Sequence, residues 1–167
     1  SHLKFRNHWI DDLIKPIQEG KCEAVNPIIS DIAVPATKGF GWDFDLKSYT
    51  YKWATPTDEF KLVPGMAGGC FAIKREIFFE VGMFDRKFLK WGMEDSELGL
   101  RLILCGYRIG IEPKVDVGHF FKEVNEYGVD WFSYNYNFLR MAYVNMNDED
   151  VDYVYSLIGG NEQERVK

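Results

Sequence analysis

Cysteine is scarce in this sequence: Cys22, Cys70 and Cys105 are the only three in 167 residues. No two stand at C-x-x-C spacing and the number is odd, so neither a zinc site nor a disulfide framework is suggested. The simplest expectation is reduced, buried thiols in a cytoplasmic protein. The alternative is a protein of the secretory-pathway lumen with one disulfide and a spare thiol. Long apolar runs are missing too. None approaches the ~20 residues that a membrane-spanning helix needs, and nothing at the start has the pattern of a signal peptide, so any membrane contact is expected to be peripheral or to lie outside this sequence. Basic runs are absent: 20 Lys and Arg against 26 Asp and Glu leave a formal charge of −6, which excludes nucleic acid as an expected partner. Internal repeats and low-complexity segments are absent as well.

What is present is a chain of one-domain length, long enough to hide roughly 70% of its unfolded surface. Aromatic residues make up 16%, enough to serve both a core and a ligand-binding surface. Asn7 is placed to cap a helix with Trp9, Leu13, Ile14 and Ile17 on one face, Pro16 kinking or shortening it and Gly20 stopping it. Residues 22–29 read as a buried strand. Over residues 30–61 periodicity fails, while Phe40, Trp42, Phe44, Tyr49, Tyr51, Trp53 and Phe60 are scattered among polar residues. A loop this long is either functional or folded onto the core by its own aromatics. Residues 65–73 read as a turn and short strand, and 75–81 as a short helix with Ile77, Phe78 and Val81 inward. A helix follows over 95–105, with Leu98, Leu102 and Cys105 on one side. Residues 107–112 and 115–120 read as two strands flanking Pro113. Residues 130–146 read as a long helix with Phe132, Leu139, Tyr143 and Met146 buried. Residues 147–167 form a tail, either a short docking helix or a link to a further module.

The chemistry concentrates in residues 64–122. Gly68-Gly69 offers a backbone that a ligand can approach closely. Trp91-Gly92-Met93-Glu94-Asp95-Ser96-Glu97 crowds three acids into four positions at the start of a helix, where the helix dipole favours them by roughly 0.3–1 kcal/mol each. Val117-Gly118-His119-Phe120-Phe121 places an imidazole at the end of an apolar strand. Taken singly, each has a structural explanation: a turn, a helix start, a satisfied core histidine.

In this order and at this spacing, the three motifs resemble the acceptor-side half of a GT-A glycosyltransferase. The resemblance is to the polypeptide N-acetylgalactosaminyltransferases and to family-two enzymes with a galactosyltransferase-like C-terminal region. It spans residues 1–146. It implies an α/β fold, an incomplete GT-A domain with a mixed sheet and flanking helices, whose nucleotide-binding half lies outside the sequence.

The resemblance further implies a nucleotide-sugar donor, a UDP-sugar foremost, and a carbohydrate, lipid-linked or peptide acceptor. It implies Mn²⁺, or Mg²⁺, held by His119 and by His2 as the end of an Asp-x-His motif whose Asp lies upstream. Alternatively, Ser1-His2 is the remnant of an expression tag. Asp95 would be the general base of an inverting transfer, because the retaining N-acetylgalactosaminyltransferases have Asn there. Glu94 would bind sugar hydroxyls, Gly68 and Gly69 would border the donor sugar, and Trp91 and Gly92 would sit on a loop closing over it. Trp42 would lie near the acceptor, and Lys122 near the diphosphate. Met93 stands where the family has a second Gly, which narrows the backbone's freedom there. Two alternatives are a retaining enzyme and a non-catalytic half-domain acting as a binding module. A metal-dependent hydrolase would explain His119 and the acids, but not the order of the motifs.

Overall fold

The computed structural model describes residues 2–121 and 128–159. It is built on two long parallel strands, β2 (Ala24–Asp31) and β8 (Ile109–His119). β2 is almost wholly buried and β8 is buried over Ile109–Glu112 and at Val115 and Val117, as central parallel strands covered on two faces should be. Short antiparallel strands flank them. On the outer edge of β8 lie β1 (Leu3–Lys4) and β6 (Lys61–Val63). On the outer edge of β2 lie β3 (Lys38–Gly39) and β7 (Ala72–Ile73). The result is a mixed six-stranded sheet with helices packed on it, in agreement with the α/β expectation.

Helix α1 (Trp9–Gln18) covers one face: Leu13, Trp9 and Ile17 pack with Val25, Ile29, Val115 and Val117. Helices α2 (Arg75–Glu80) and α3 (Glu94–Leu104) cover the other, where Ile77, Leu98 and Leu102 meet Ala24, Ile109 and Ile111. Odd-numbered residues of β8 thus face opposite sides at its two ends. The register explains this: it steps from Pro27 opposite Glu112 to Ile28 opposite Asp116, so Pro113, Lys114 and Val115 bulge out and reverse the alternation. The two strands expected around Pro113 are therefore one bulged strand.

Helix α4 (Trp131–Asn145) and helix α5 (Asp148–Leu157) form a third cluster with Met93, through Phe138, Met141, Ala142, Val151 and Val154. Here the expected stripe is half right, since Leu139 and Met146 pack against this cluster. Phe132 and Tyr143 are 75% and 61% exposed, and the buried stripe instead includes Ser133 and Asn137. Periodicity alone favoured the large apolar side chains. The helix is rotated because two polar residues find hydrogen-bond partners inside. Two further corrections are local. His8, not Asn7, occupies the N-cap of α1, in a left-handed conformation and with no side-chain cap. Of the thiols, only Cys22 is fully buried, while Cys105 ends α3 exposed.

The aromatic stretch expected to be aperiodic contains a hairpin, β4 (Trp42–Asp45) paired with β5 (Thr50–Trp53). Trp42 faces Trp53 across the ladder and their rings stack 4.2 Å apart. The turn of the hairpin is tied to α5: the Tyr49 hydroxyl donates to Asp150 Oδ1 at 2.5 Å, and the Tyr153 hydroxyl donates to the Lys47 carbonyl at 2.8 Å.

Candidate active site

A cleft of about 670 Å³ opens at the end of the sheet where β2 and β8 finish. Five separated segments wall it. They are the hairpin with Trp42, Tyr51 and Trp53, the glycine turn with Gly68 and Gly69, the loop and helix start from Trp91 to Ser96, His119 at the end of β8, and Tyr134 on α4. Gly68, Gly69, Trp91, Gly92, Glu94, Asp95, Trp42 and His119 therefore share one cavity. Lys122 lies outside the described residues.

Asp95 sits in the first turn of α3, and its carboxylate reaches back across the cleft floor. Oδ2 accepts a 2.7 Å hydrogen bond from the Gly68 N–H, and Oδ1 accepts one of 2.8 Å from the Ser96 N–H. A Cβ on residue 68 would lie 2.8 Å from Asp95 Oδ2, so only glycine allows this contact. Glu94 Oε2 accepts from the Gly92 N–H at 2.8 Å and so closes the loop on itself. Gly92 has φ +111°, and a Cβ there would meet the Tyr134 ring at 2.6 Å. The third acid of the motif, Glu97, does not face the cleft. It is 1% exposed and paired with Arg101, which also donates to the carbonyls of Val81 and Met83. Glu97 is thus a structural anchor between α3 and the segment after α2.

Met93 lies beside Gly92 with φ +70°, a region costly to a residue with a Cβ, by about 1–3 kcal/mol. Its side chain is 5% exposed among the α4 and α5 residues, and that burial offsets the strain. The substitution for glycine is thus built into the packing.

His119 lines the cleft and His2 does not, but their rings meet edge to face with centroids 4.8 Å apart. His119 Nδ1 is buried and has no hydrogen-bond partner. Burial first, and the neighbouring His2 second, lower the His119 pKa, with Asp31 partly opposing them. Metal ligation needs neutral imidazoles with a free lone pair, and an orphaned buried nitrogen fits that need. Two imidazoles make only part of a ligand set, however. Among the described residues no three His, Cys, Asp or Glu side chains converge as a metal site.

The Trp42 indole Nε1 is likewise buried without a hydrogen-bond partner, although the residue lines the cleft. The sequence did not mark Tyr51, Trp53 and Tyr134 as cleft residues. Tyr51 and Tyr134 are both held protonated, chiefly by burial and then by the charge of Asp95. Their aromatic character was visible, but nothing in their spacing tied them to the acidic motif.

Residues 54–125 match the family described as the N-terminal domain of galactosyltransferase. The chain is 33% identical over 153 residues to "Probable N-acetylgalactosaminyltransferase 8" of Caenorhabditis elegans, covering 81% of this chain and 36% of that protein. It is 35% identical over 140 residues to "Polypeptide N-acetylgalactosaminyltransferase 8" of Drosophila melanogaster, covering 75% of this chain and 23% of that one. A Macaca fascicularis relative at 31% over 159 residues is called "Inactive polypeptide N-acetylgalactosaminyltransferase-like protein 5", with coverages of 86% and 36%. Among solved structures, GalNAc-T7 with UDP, GalNAc and Mn²⁺ superposes with a TM-score of 0.74 at 28% identity, over 92% of this chain and 32% of that one. The chain thus spans no more than 36% of the length of these relatives.

The relatives overturn the expectation of a cytoplasmic protein. Polypeptide N-acetylgalactosaminyltransferases are Golgi lumenal enzymes, and the secretory-pathway lumen is the compartment that fits them. The inference from free thiols had little force. Burial pushes the pKa of Cys22 and of Cys70 up to about 11, and a thiol kept protonated in this way resists oxidation in any compartment.

Proposed function

We propose, from the premise that this chain is a GT-A, N-acetylgalactosaminyltransferase-like partial domain, that it forms the acceptor-side half of a metal-dependent glycosyltransferase. The donor is a UDP-sugar, with UDP-N-acetylgalactosamine the first to test because the relatives' names carry that sugar. The acceptor is a hydroxyl, on a peptide or a glycoconjugate. The observation that carries this reading is the single cleft that gathers the glycine turn, the acidic motif and His119.

A divalent ion, Mn²⁺ foremost, would neutralise the leaving diphosphate. His119 and His2 are the described residues that would hold it. Gly68 and Gly69 leave room for the donor sugar, Glu94 and Trp91 border it, and Trp42 lies near the acceptor. Asp95 is the group placed to take the acceptor proton. As the acceptor oxygen bonds to the anomeric carbon, the bond to the diphosphate breaks, its electron pair leaves with the phosphate, and the proton passes to the carboxylate. This course inverts the anomeric configuration.

One observation favours a second course. Both Asp95 oxygens already accept backbone N–H bonds, a positioning role that an amide oxygen also fills, and the relatives are of the N-acetylgalactosaminyltransferase kind. Here Asp95 orients the substrate and transfer retains configuration. One experiment separates the two: proton NMR of the first-formed product of the full-length polypeptide, with Asp95→Asn beside it. The base reading expects the inverted anomer and a loss of about 10²–10⁴-fold in kcat. Retained configuration, with turnover of the Asp95→Asn variant within a few-fold of wild type, overturns it. UDP binding with no transfer at all would instead mark a binding module.

A further inference from the structure

Between the two cleft walls, the loop carrying Trp91 has one bond of its own, from the Gly92 N–H to Glu94. Lys90, Gly92 and Met93 have φ of +46°, +111° and +70°, a succession of left-handed residues that a free chain rarely populates. The rest of what fixes it comes from α4. Asn137 is 1% exposed and spends its whole amide on this loop. Its Oδ1 accepts from the Leu89 N–H at 2.7 Å, while its Nδ2 donates to the Leu89 carbonyl at 2.9 Å and to the Gly92 carbonyl at 2.8 Å. The side chain thus imitates a paired strand for Leu89 and ties down both ends of the Lys90-Trp91 dipeptide. Lys90 adds an ion pair to Asp130 at the start of the same helix. The Tyr134 ring, one turn before Asn137, fills the space that a Cβ on Gly92 would need.

We propose that Asn137 is a positioning residue for transfer, acting through Trp91: it fixes the conformation in which the Trp91 loop lines the cleft. The functional half of this inference rests on the transferase reading above. The structural half does not. Leucine at 137 would leave three loop groups unpaired and invites general unfolding, so the decisive variant is Asn137→Asp. Aspartate has the same shape and still accepts from the Leu89 N–H, but it sets a carboxylate oxygen against two carbonyls that now lack their donor.

The test uses the full-length polypeptide and two readouts. In limited trypsin digestion followed by intact mass, Asn137→Asp should be cut after Lys90 about 10- to 100-fold faster than wild type, with other sites unchanged, since two hydrogen bonds no longer hold the loop in place. In steady-state transfer, kcat should fall about 10-fold or more while the acceptor KM stays within about two-fold. The double variant Trp91→Ala/Asn137→Asp should be no slower than Trp91→Ala alone, because both act through one loop. Unchanged cleavage after Lys90 overturns the clamp. Additive losses in the double variant overturn action through Trp91 and leave a merely structural role. A wild-type protein without transferase activity would sink the transferase reading, while the digestion would still decide the clamp.

Discussion

The contact between Gly68 and Asp95 shows how one missing side chain sets the aim of another. A methyl group at 68 would press on Asp95 Oδ2 and lie 3.1 Å from its Cβ, so the carboxylate must turn from its bond to the Gly68 N–H and the helix start must give slightly. Gly68→Ala should therefore cost about 1–3 kcal/mol in urea unfolding and leave the chain folded, yet lower kcat by about 100-fold, the scale expected when a reacting group is displaced by roughly an ångström. A variant that does not fold would make the glycine a folding requirement instead. The neighbourhood of Gly68, Asp95 and His119 was legible in the sequence because three motifs kept a recognisable order. The setting of Met93 was not. A methionine in place of glycine reads as a restriction, and only the contacts with Phe138 and Val154 reveal that the side chain is a wedge tying the acidic motif to α4 and α5.

Among the elements, β2 was readable as a buried apolar strand and α3 as an amphipathic helix with acids in its first turn, while β8 reads as two strands flanking Pro113 because a bulge cannot be told from a break. The hairpin of β4 and β5 was not readable. Its strands are four residues long, its partners are mostly each other, and Tyr49 in its turn adopts φ +52° without a glycine to announce it. At the other end of the sheet, β2 and β8 are fastened by charge. Glu23 accepts from Arg108 Nη2 at 2.8 Å and Nε at 3.2 Å, and lies 3.4 Å from Lys74 Nζ. The Arg108 guanidinium holds its pKa down to about 2, from an ordinary 4.5. A depressed carboxylate stabilises the fold fully above its unfolded value and loses that contribution as pH falls through its folded one. Wild type should thus exceed Glu23→Gln by about 1–2 kcal/mol at pH 7, and the gap should close between about pH 4.5 and about pH 2. A gap independent of pH in urea titrations would show that packing, not charge, distinguishes the variants.

Across the whole molecule, α5 joins the two walls of the cleft. Val151 and Val154 bury against α4 and Met93, while Tyr153 and Asp150 hold the turn of the aromatic hairpin. A charge at the fully buried position 154 should release both contacts. Val154→Asp is expected to raise amide hydrogen exchange by at least about 10-fold in α5, in the turn 45–49 and in the loop 89–93, with β2 and β8 still protected. Exchange confined to α5 would mean that the walls are independent of it. The sequence offered a short docking helix as one reading of the tail but not where it docks, since its hydrogen-bond anchors, Asp150 and Tyr153, find partners 101 and 106 residues away. That distance bears on how the chain is made. The central parallel pair joins segments as remote as Glu23 and Arg108, 85 residues apart, so β2 leaves the ribosome long before its main partner, with only the two-residue strands β3 and β7 made in between to pair with it. At ~5–20 residues per second it waits roughly 5–20 s for β8 to be synthesised, an apolar strand open to self-association. Asn26 and Pro27 stand at its middle. A polar amide and a residue with no N–H to offer a neighbouring copy interrupt an otherwise adhesive edge, and give the nascent chain time to find β8.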